Sequence, residues 1–402
     1  MKNACQNHLN KICINLPERP TGSQGNRLAT KYFFDQVSQF GWEVESTKFT
    51  AMDWEENGAE LDVGINKYML YPSPYSLGCD VEAELVAAGT LPELIEIECT
   101  ERVLVLHGEL VKEQLMPKNF VFYNPDEHQQ IIAALESKHP KAIICITSRN
   151  AALAGGVYPF PLIEDGDFDI PSVYTTEENG SKLLAYVGEQ VHLISSTKRI
   201  FGDSYNVVAS KGHRRGKKII ITAHIDAKKG TPGAIDNATG VVVLLLLAEL
   251  LRDYSDRLKI ELVAFNGEDY YAAPGQMIYL DQIQNSFDDI ILNINIDGAG
   301  YLDGPSAFST FELPDHLGET VDQVLDNYDG IVAGIPWYQG DHSIFLQQGI
   351  PAIAVSSNWF VDHIDNQDIT HTPKDHPRIV ECQKIVDIAL AIHDLIKIEL
   401  EK

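Results

Sequence analysis

Three stretches in the second half of the chain place histidine and carboxylate side chains just beyond short apolar runs. The first reads IIITAHIDAKKGTPGAIDNATGVVVLLLLAELL, from Ile219 to Leu251. It opens as a β-type run, Lys218 to Thr222, and closes as an apolar run of helical length; His224, Asp226 and Asp236 lie between. The second, KIELVAFNGED, ends in Glu268 and Asp269, and the third, DIILNINIDGAG, delivers Asp297. Imidazole and carboxylate together suit zinc, with nitrogen and oxygen donors and open positions for water.

The donors can be given partly separate roles. His224 and Asp226 sit at i and i+2 and share a face if the strand geometry persists. Asp226 could then accept the second ring N–H of a metal-bound His224 and fix its tautomer. Glu268 and Asp269 are neighbours whose side chains diverge, so one can hold a metal while the other acts as a general base. Asp236 follows a loop containing Gly230 and Gly233 that can set it between two ions.

Each feature has an ordinary reading when taken alone. A His-x-Asp is commonly a surface or outer pair, and Asp236-Asn237 a helix cap. Glu268-Asp269 is a solvated loop, and Asp297 before Gly298 a turn residue. Three successive strand ends bringing such residues, with an Asp-Asn at a helix start, favour a site. A second histidine is required. His342, His363, His371 and His376 are the candidates, and spacing does not choose between His371 and His376.

These donors need strands to deliver them. From about residue 201, strand candidates (Lys218–Thr222, Lys259–Phe265, Ile290–Ile296, Ala352–Val355) alternate with helix candidates (Gly240–Tyr254, Pro274–Gln284, Leu317–Asn327, Asp341–Gln348, Arg378–Glu399). That alternation predicts an α/β fold with a mainly parallel mixed sheet flanked by helices. Ligands then collect at the carboxyl ends of the strands. Residues 1–55 read as a helix over Asn26 to Phe40 followed by an extended run, and join 201–402 in one discontinuous domain. Residues 56–200 carry short β runs, among them Val121–Tyr123, and two helical patches without clustered metal donors. They read as an inserted smaller α/β domain that covers the cleft entrance or makes a dimer contact, which leaves a homo-oligomer open.

With 402 residues the chain exceeds a typical single core. Its net charge of −27 argues against nucleic acid and against anionic membrane surfaces as partners. The six cysteines form no Cys-x-x-Cys pair, so thiolate zinc and redox motifs are not expected and reduced thiols are. No apolar leader precedes Pro20, and the longest apolar run, Val241 to Ala248, falls short of the roughly 20 residues of a membrane span. The expectation is a cytoplasmic protein with no membrane segment.

The motifs AHIDAKKGTPGAIDNATGVVVLLLLAELL, FNGED, NINIDGAG, GDHSIFLQQGIPAIAV and THTPKDH, in that order, resemble the co-catalytic dizinc aminopeptidases. That family also contains glutamate carboxypeptidase II. ERPTGSQGNRLATKYFFDQVSQFGWEVE resembles its N-terminal helix, and 56–200 looks like its protease-associated insertion. The resemblance implies two Zn2+ ions, though other divalent metals suit the same donors. His224 and Asp297 would hold one, Asp269 and His371 the other, and Asp236 would bridge. It makes Glu268 the general base and Asp226 the partner of His224. It further implies a cis peptide after Asp236, peptide substrates, and hydrolysis of N-terminal residues through a metal-bridged water. The chain departs from the pattern at Asp269, where Glu is common, at Thr370, where some members have Tyr, and at Gly340, where Ser is usual. Two other branches share the fold: glutaminyl cyclase-like acyl transferases with one zinc, and receptors or scaffolds that have lost the ligands. Here every ligand position holds a competent residue, and the insertion argues against the cyclases.

Overall fold

A computed structural model of the chain describes residues 1–16, 18–149, 157–214, 216–364 and 366–401. Two compact units result, Met1–Ala51 with Asp203–Lys402, and Met52–Gly202. The chain passes from one to the other within the long strands Glu43–Val63 and Gln190–Gly212.

The larger unit is built on strands whose apolar residues run without alternation, as strands covered on both faces require. Lys218–His224 lies between Lys259–Phe265 and Ile290–Ile296, parallel to both. Ala352–Ser357 adds parallel to Ile290–Ile296. Ser306–Phe311 then pairs antiparallel with it and Ile331–Ala333 parallel with Ser306–Phe311. On the other side, residues 207–212 pair antiparallel with Lys259–Phe265. The sheet is therefore mixed with a parallel centre, and the parallel strands end together at the loops that carry the acids and His224.

Thr239–Leu250 is buried on all its faces from Thr239 to Ala248. It packs on the strand Lys218–His224 and against the helices Lys2–Asn10, Gln24–Gln39 and Cys382–Glu401. A helix enclosed this way needs no polar stripe, which accounts for VVVLLLLA. Each fully buried Val or Leu there contributes about 1.5–3 kcal/mol of transfer free energy. Helix Gln24–Gln39 starts at Ser23, whose hydroxyl accepts the N–H of Asn26.

In the smaller unit, Cys79–Ala88, Val103–Leu106, Ala142–Thr147 and Ser172–Thr176 form successive parallel pairs. Asn66–Pro72 joins antiparallel at Ser172–Thr176. Apolar clusters cover the sheet, one around Leu104, Leu106, Leu135 and Phe160, the other around Leu61, Leu85 and Val105. Val121–Tyr123, expected as a strand, is irregular, and Val121 and Tyr123 point outward with no partner strand. Among the described residues, no helix is long and apolar enough to cross a membrane.

Candidate metal centre

His224 is the last residue of its strand, in register with Phe265. Its Nδ1 lies 3.2 Å from the main-chain oxygen of Asp226 and 3.7 Å from Asp226 Oδ1. A proton on Nδ1 directed at these oxygens leaves Nε2 with a free lone pair. Nε2 is fully buried and has no hydrogen-bond partner among the described residues. It faces three carboxylates: Asp236 Oδ1 at 3.2 Å, Asp297 Oδ1 at 3.6 Å and Glu268 Oε2 at 3.8 Å. A buried nitrogen acceptor surrounded by acceptor oxygens fits a cation at their centre. Two ligands of a tetrahedral ion with bonds near 2.05 Å stand about 3.3 Å apart, close to these separations.

The second half of the site comes from more distant parts of the chain. His371 Nε2 lies 3.0 Å from Asp236 Oδ2 and 3.1 Å from Asp269 Oδ1. Asp236 therefore offers one oxygen to each histidine. Three groupings of donor atoms close enough to hold an ion result: His224, Asp236 and Asp297; Asp236, Asp269 and His371; and His224, Glu268 and Asp269. The Asp236–Asn237 peptide is cis. Asn237 does more than cap the helix: its side-chain amide donates to Ile296 O at 2.8 Å while its oxygen accepts from Gly240 N–H at 3.0 Å. Both bonds tie the start of Thr239–Leu250 to the strand that delivers Asp297.

Asp226 is wholly buried, and its Oδ2 accepts from Thr21 Oγ1 at 2.8 Å and from the N–H of Asp269 at 3.0 Å. One carboxylate thus touches the His224 loop, the Asp269 loop and the segment before the helix Gln24–Gln39. Of the four histidines left open by spacing, His371 alone joins the donors. His363 stacks on Trp359 and contacts its carbonyl, His376 caps Pro377–Ile379, and His342 Nε2 lies 2.8 Å from Trp337 O. Thr370 accepts from Gln367 Nε2 at 2.5 Å. Trp337 lies close to the donors, and Tyr338 does not. A Cβ on Gly340 would stand 3.3 Å from the Trp337 ring and 3.4 Å from Asp297 Oδ2, whereas Tyr338 is 68% exposed and leans on Phe311.

Four supporting residues lie outside the sequence-derived set: Arg19, Thr21, Asp341 and Asp375. All are buried. Asp341 accepts from Gln276 Nε2 at 2.8 Å and leaves its other oxygen unpartnered. The signal for three of them was present in ERPTG and in the Asp of THTPKDH, but only as unassigned polar residues.

Electrostatically the site without cations favours protons. Burial opposes charging of His224, yet Glu268 and Asp297 hold its pKa well above the imidazole range. Burial also opposes charging of His371, and Asp269 and Asp236 again prevail and raise it. Burial pushes Glu268 well above the carboxylate range; His224 counteracts, and Asp269, Asp297 and Asp341 reinforce. Burial drives Asp341 and Asp375 each up to about 7. A group whose folded pKa is raised binds its proton more tightly when folded, so the stability it adds at low pH is lost as pH rises. The raised carboxylates act from about pH 4 upward and the histidines from about pH 6.5. Asp226 and Asp236 are lowered and act in the opposite sense, in more acid solution. The melting temperature of chelator-treated protein should therefore fall between about pH 5.5 and about pH 8, and added divalent metal should flatten that slope. Calorimetric scans with and without chelator would check this; a metal-free protein that gains stability across the interval contradicts it.

Fold and donor set together define an α/β protein with N/O donors grouped closely enough to hold a metal at the carboxyl ends of parallel strands. Residues 206–396 match the peptidase family M28. The uncharacterised protein YfbL of Escherichia coli K12 is 30% identical over 142 residues, 32% of this chain and 43% of its own length. The probable leucine aminopeptidase 2 of Aspergillus oryzae is 26% identical over 201 residues, 49% of this chain and 34% of its own. The chain thus spans less than half the length of these two relatives. Among solved structures, an aminopeptidase from Aneurinibacillus sp. strain AM-1 aligns over 98% of this chain and 93% of its own, with TM-score 0.75 and 20% identity. The zinc aminopeptidase BSAP from Bacillus subtilis aligns over 98% and 94%, with TM-score 0.74 and 16% identity. A glutaminyl cyclase from Fimbriiglobus ruber aligns over 99% and 95%, with TM-score 0.53 and 11% identity.

Proposed function

We propose that the chain is a zinc-dependent aminopeptidase that removes N-terminal residues from peptides. The observation that carries this reading is the shared carboxylate of Asp236, common to the His224–Asp236–Asp297 and Asp236–Asp269–His371 groupings. In it, His224 and Asp297 would hold one Zn2+ and Asp269 and His371 a second, with Asp236 shared between them. Bound ions would supply the positive charge that polarises a scissile carbonyl and acidifies a water. Glu268 lies beside both triples without being needed by either. It takes a proton from the attacking water and passes it to the leaving amine. Asp226 and its carbonyl keep the Nδ1 proton of His224 in place, so that Nε2 faces inward. The M28 match and the aminopeptidases of like fold support this assignment. We read Met52–Gly202 as a protease-associated-like insertion. Six free thiols among the described residues accord with the cytoplasm.

Protein purified without chelator should carry close to two zinc ions per chain by elemental analysis, in keeping with a two-metal site. A preparation that holds none and cannot be reloaded refutes the metal reading. The glutaminyl cyclase aligns along nearly the whole chain, so the inserted unit does not separate the two chemistries. A substrate screen does. Hydrolysis of aminoacyl chromogenic amides is the expected result; turnover confined to N-terminal glutaminyl peptides would assign acyl transfer, and activity on N-acylated dipeptides alone a carboxypeptidase.

A further inference from the structure

The loop that follows His224 has no strand partners between Ala227 and Gly233, yet it must deliver Asp236 within reach of two histidines. Two buried ionisable residues from elsewhere hold its ends. Arg19 donates from Nε to Ile225 O at 2.7 Å, from Nη1 to Pro232 O at 2.6 Å and from Nη2 to Gly233 O at 2.5 Å. Ile225 lies just before the irregular segment and Gly233 closes it, so one planar group sets their separation. A Cβ at residue 233 would stand 2.7 Å from Arg19 Nη2 and 2.6 Å from Asp236 O, and φ there is +58°, so the position requires glycine.

Asp375 holds the segment beyond. Its Oδ1 accepts the N–H of Ile235 at 2.6 Å, its Oδ2 the N–H of Asp236 at 3.0 Å, and its main-chain oxygen the N–H of Ala234 at 3.3 Å. Asp375 belongs to the same turn as His371 and donates its own N–H to Thr372 O at 3.1 Å. The backbone bearing Asp236 is thereby suspended from the turn bearing His371.

We propose that Arg19 and Asp375 are positioning residues that set the carboxylate of Asp236 between the two metal sites. The inference rests on the dimetal reading above. Asp236 reaches His224 with one oxygen at 3.2 Å and His371 with the other at 3.0 Å. Shifting its backbone lengthens one contact as it shortens the other, and such sites tolerate only about 0.5 Å. Neither Arg19 nor Asp375 lies in a donor grouping, so both act through the loop's main chain.

The test uses the full chain, with Zn2+ affinity measured by competition against a chromogenic chelator and melting temperatures taken in Zn2+ and in chelator. Asp375→Asn keeps the size but replaces one acceptor oxygen by an amino group that faces a backbone N–H. Arg19→Lys removes the fork that spans three carbonyls. Asp375→Asn should weaken zinc binding about 10- to 100-fold, as loss of an outer partner does. The zinc-induced rise in melting temperature should shrink with it, and Arg19→Lys should move both readouts the same way. A role in folding alone would lower both melting temperatures equally and leave affinity unchanged, and that result overturns the proposal. If Asp375→Asn does not fold, Arg19→Lys decides by the same comparison. Absence of zinc binding by the unaltered chain would instead remove the dimetal reading, an outcome visible without either variant.

Discussion

Glu268→Gln should lower kcat by about 10²- to 10⁴-fold, the range attributable to a general base, while zinc content stays that of the unaltered chain. Glutamine keeps the shape of Glu268 and can still hydrogen-bond, but it cannot accept a proton at neutral pH. Glu268 is partly open, with its side chain 27% exposed, and stands 3.8 Å from His224 Nε2. It is thus close enough to feel the donors and open enough to meet a substrate. Its pKa lies well above the usual carboxylate range without cations, first through burial and then through its acidic neighbours. Two divalent ions would offset that repulsion and return it toward the ionised form a base requires. Steady-state kinetics on an aminoacyl amide, paired with elemental analysis, separates the outcomes. A variant that keeps its zinc and its kcat removes Glu268 from the reaction, whereas one that loses zinc makes it a ligand in the third grouping, with His224 and Asp269.

Much of this arrangement could be read from the chain because parallel strands deliver their C-terminal residues to one edge. Runs such as KIIITAH and IILNINI announce the strands, and the residue after each is where chemistry collects. His371 needed the resemblance, since a loop histidine has no periodicity to mark it; the fold distinguishes it by packing His363 on Trp359 and spending His376 on a cap. Arg19 and Asp375 escaped for a different reason. Their partners are main-chain carbonyls and N–H groups, which no side-chain pattern displays. The helix Lys2–Asn10 was also hidden, because in KNACQNHLN only Cys5, His8 and Leu9 are buried. Val121–Tyr123 failed in the opposite direction, as β-prone residues with no neighbouring strand to pair with. Ser306–Phe311 is short and rich in Ser, and becomes a strand through its pairing with Ala352–Ser357.

Asp236→Ala should cost more metal than loss of any other single donor. Asp297 and His371 each belong to one grouping, so Asp297→Ala or His371→Ala should leave the other triple intact and the protein with about one ion. His224 and Asp269 each also fall in the grouping with Glu268, but with Glu268 serving as the base Asp236 is the one donor shared by both metal sites. Its removal leaves His224 with Asp297 on one side and Asp269 with His371 on the other. A pair of protein donors holds zinc poorly where three are the rule for an open site. Zinc content should therefore fall below one ion per chain. The loss of kcat/KM should exceed the roughly 10- to 100-fold typical of outer partners. The substitution also removes the carboxylate that pairs with His224 and His371 in the metal-free chain. Against burial, His224 and His371 hold the Asp236 carboxyl below its usual range, so the variant should melt lower than the unaltered chain in chelator. Zinc binding is read from the further rise in melting temperature that Zn2+ brings. A Zn2+-induced rise smaller than that of Asp297→Ala or His371→Ala, together with lower zinc content, would assign the bridge to Asp236. Retention of two ions by Asp236→Ala would move the bridge to another oxygen, with Glu268 next in line because it groups with both His224 and Asp269.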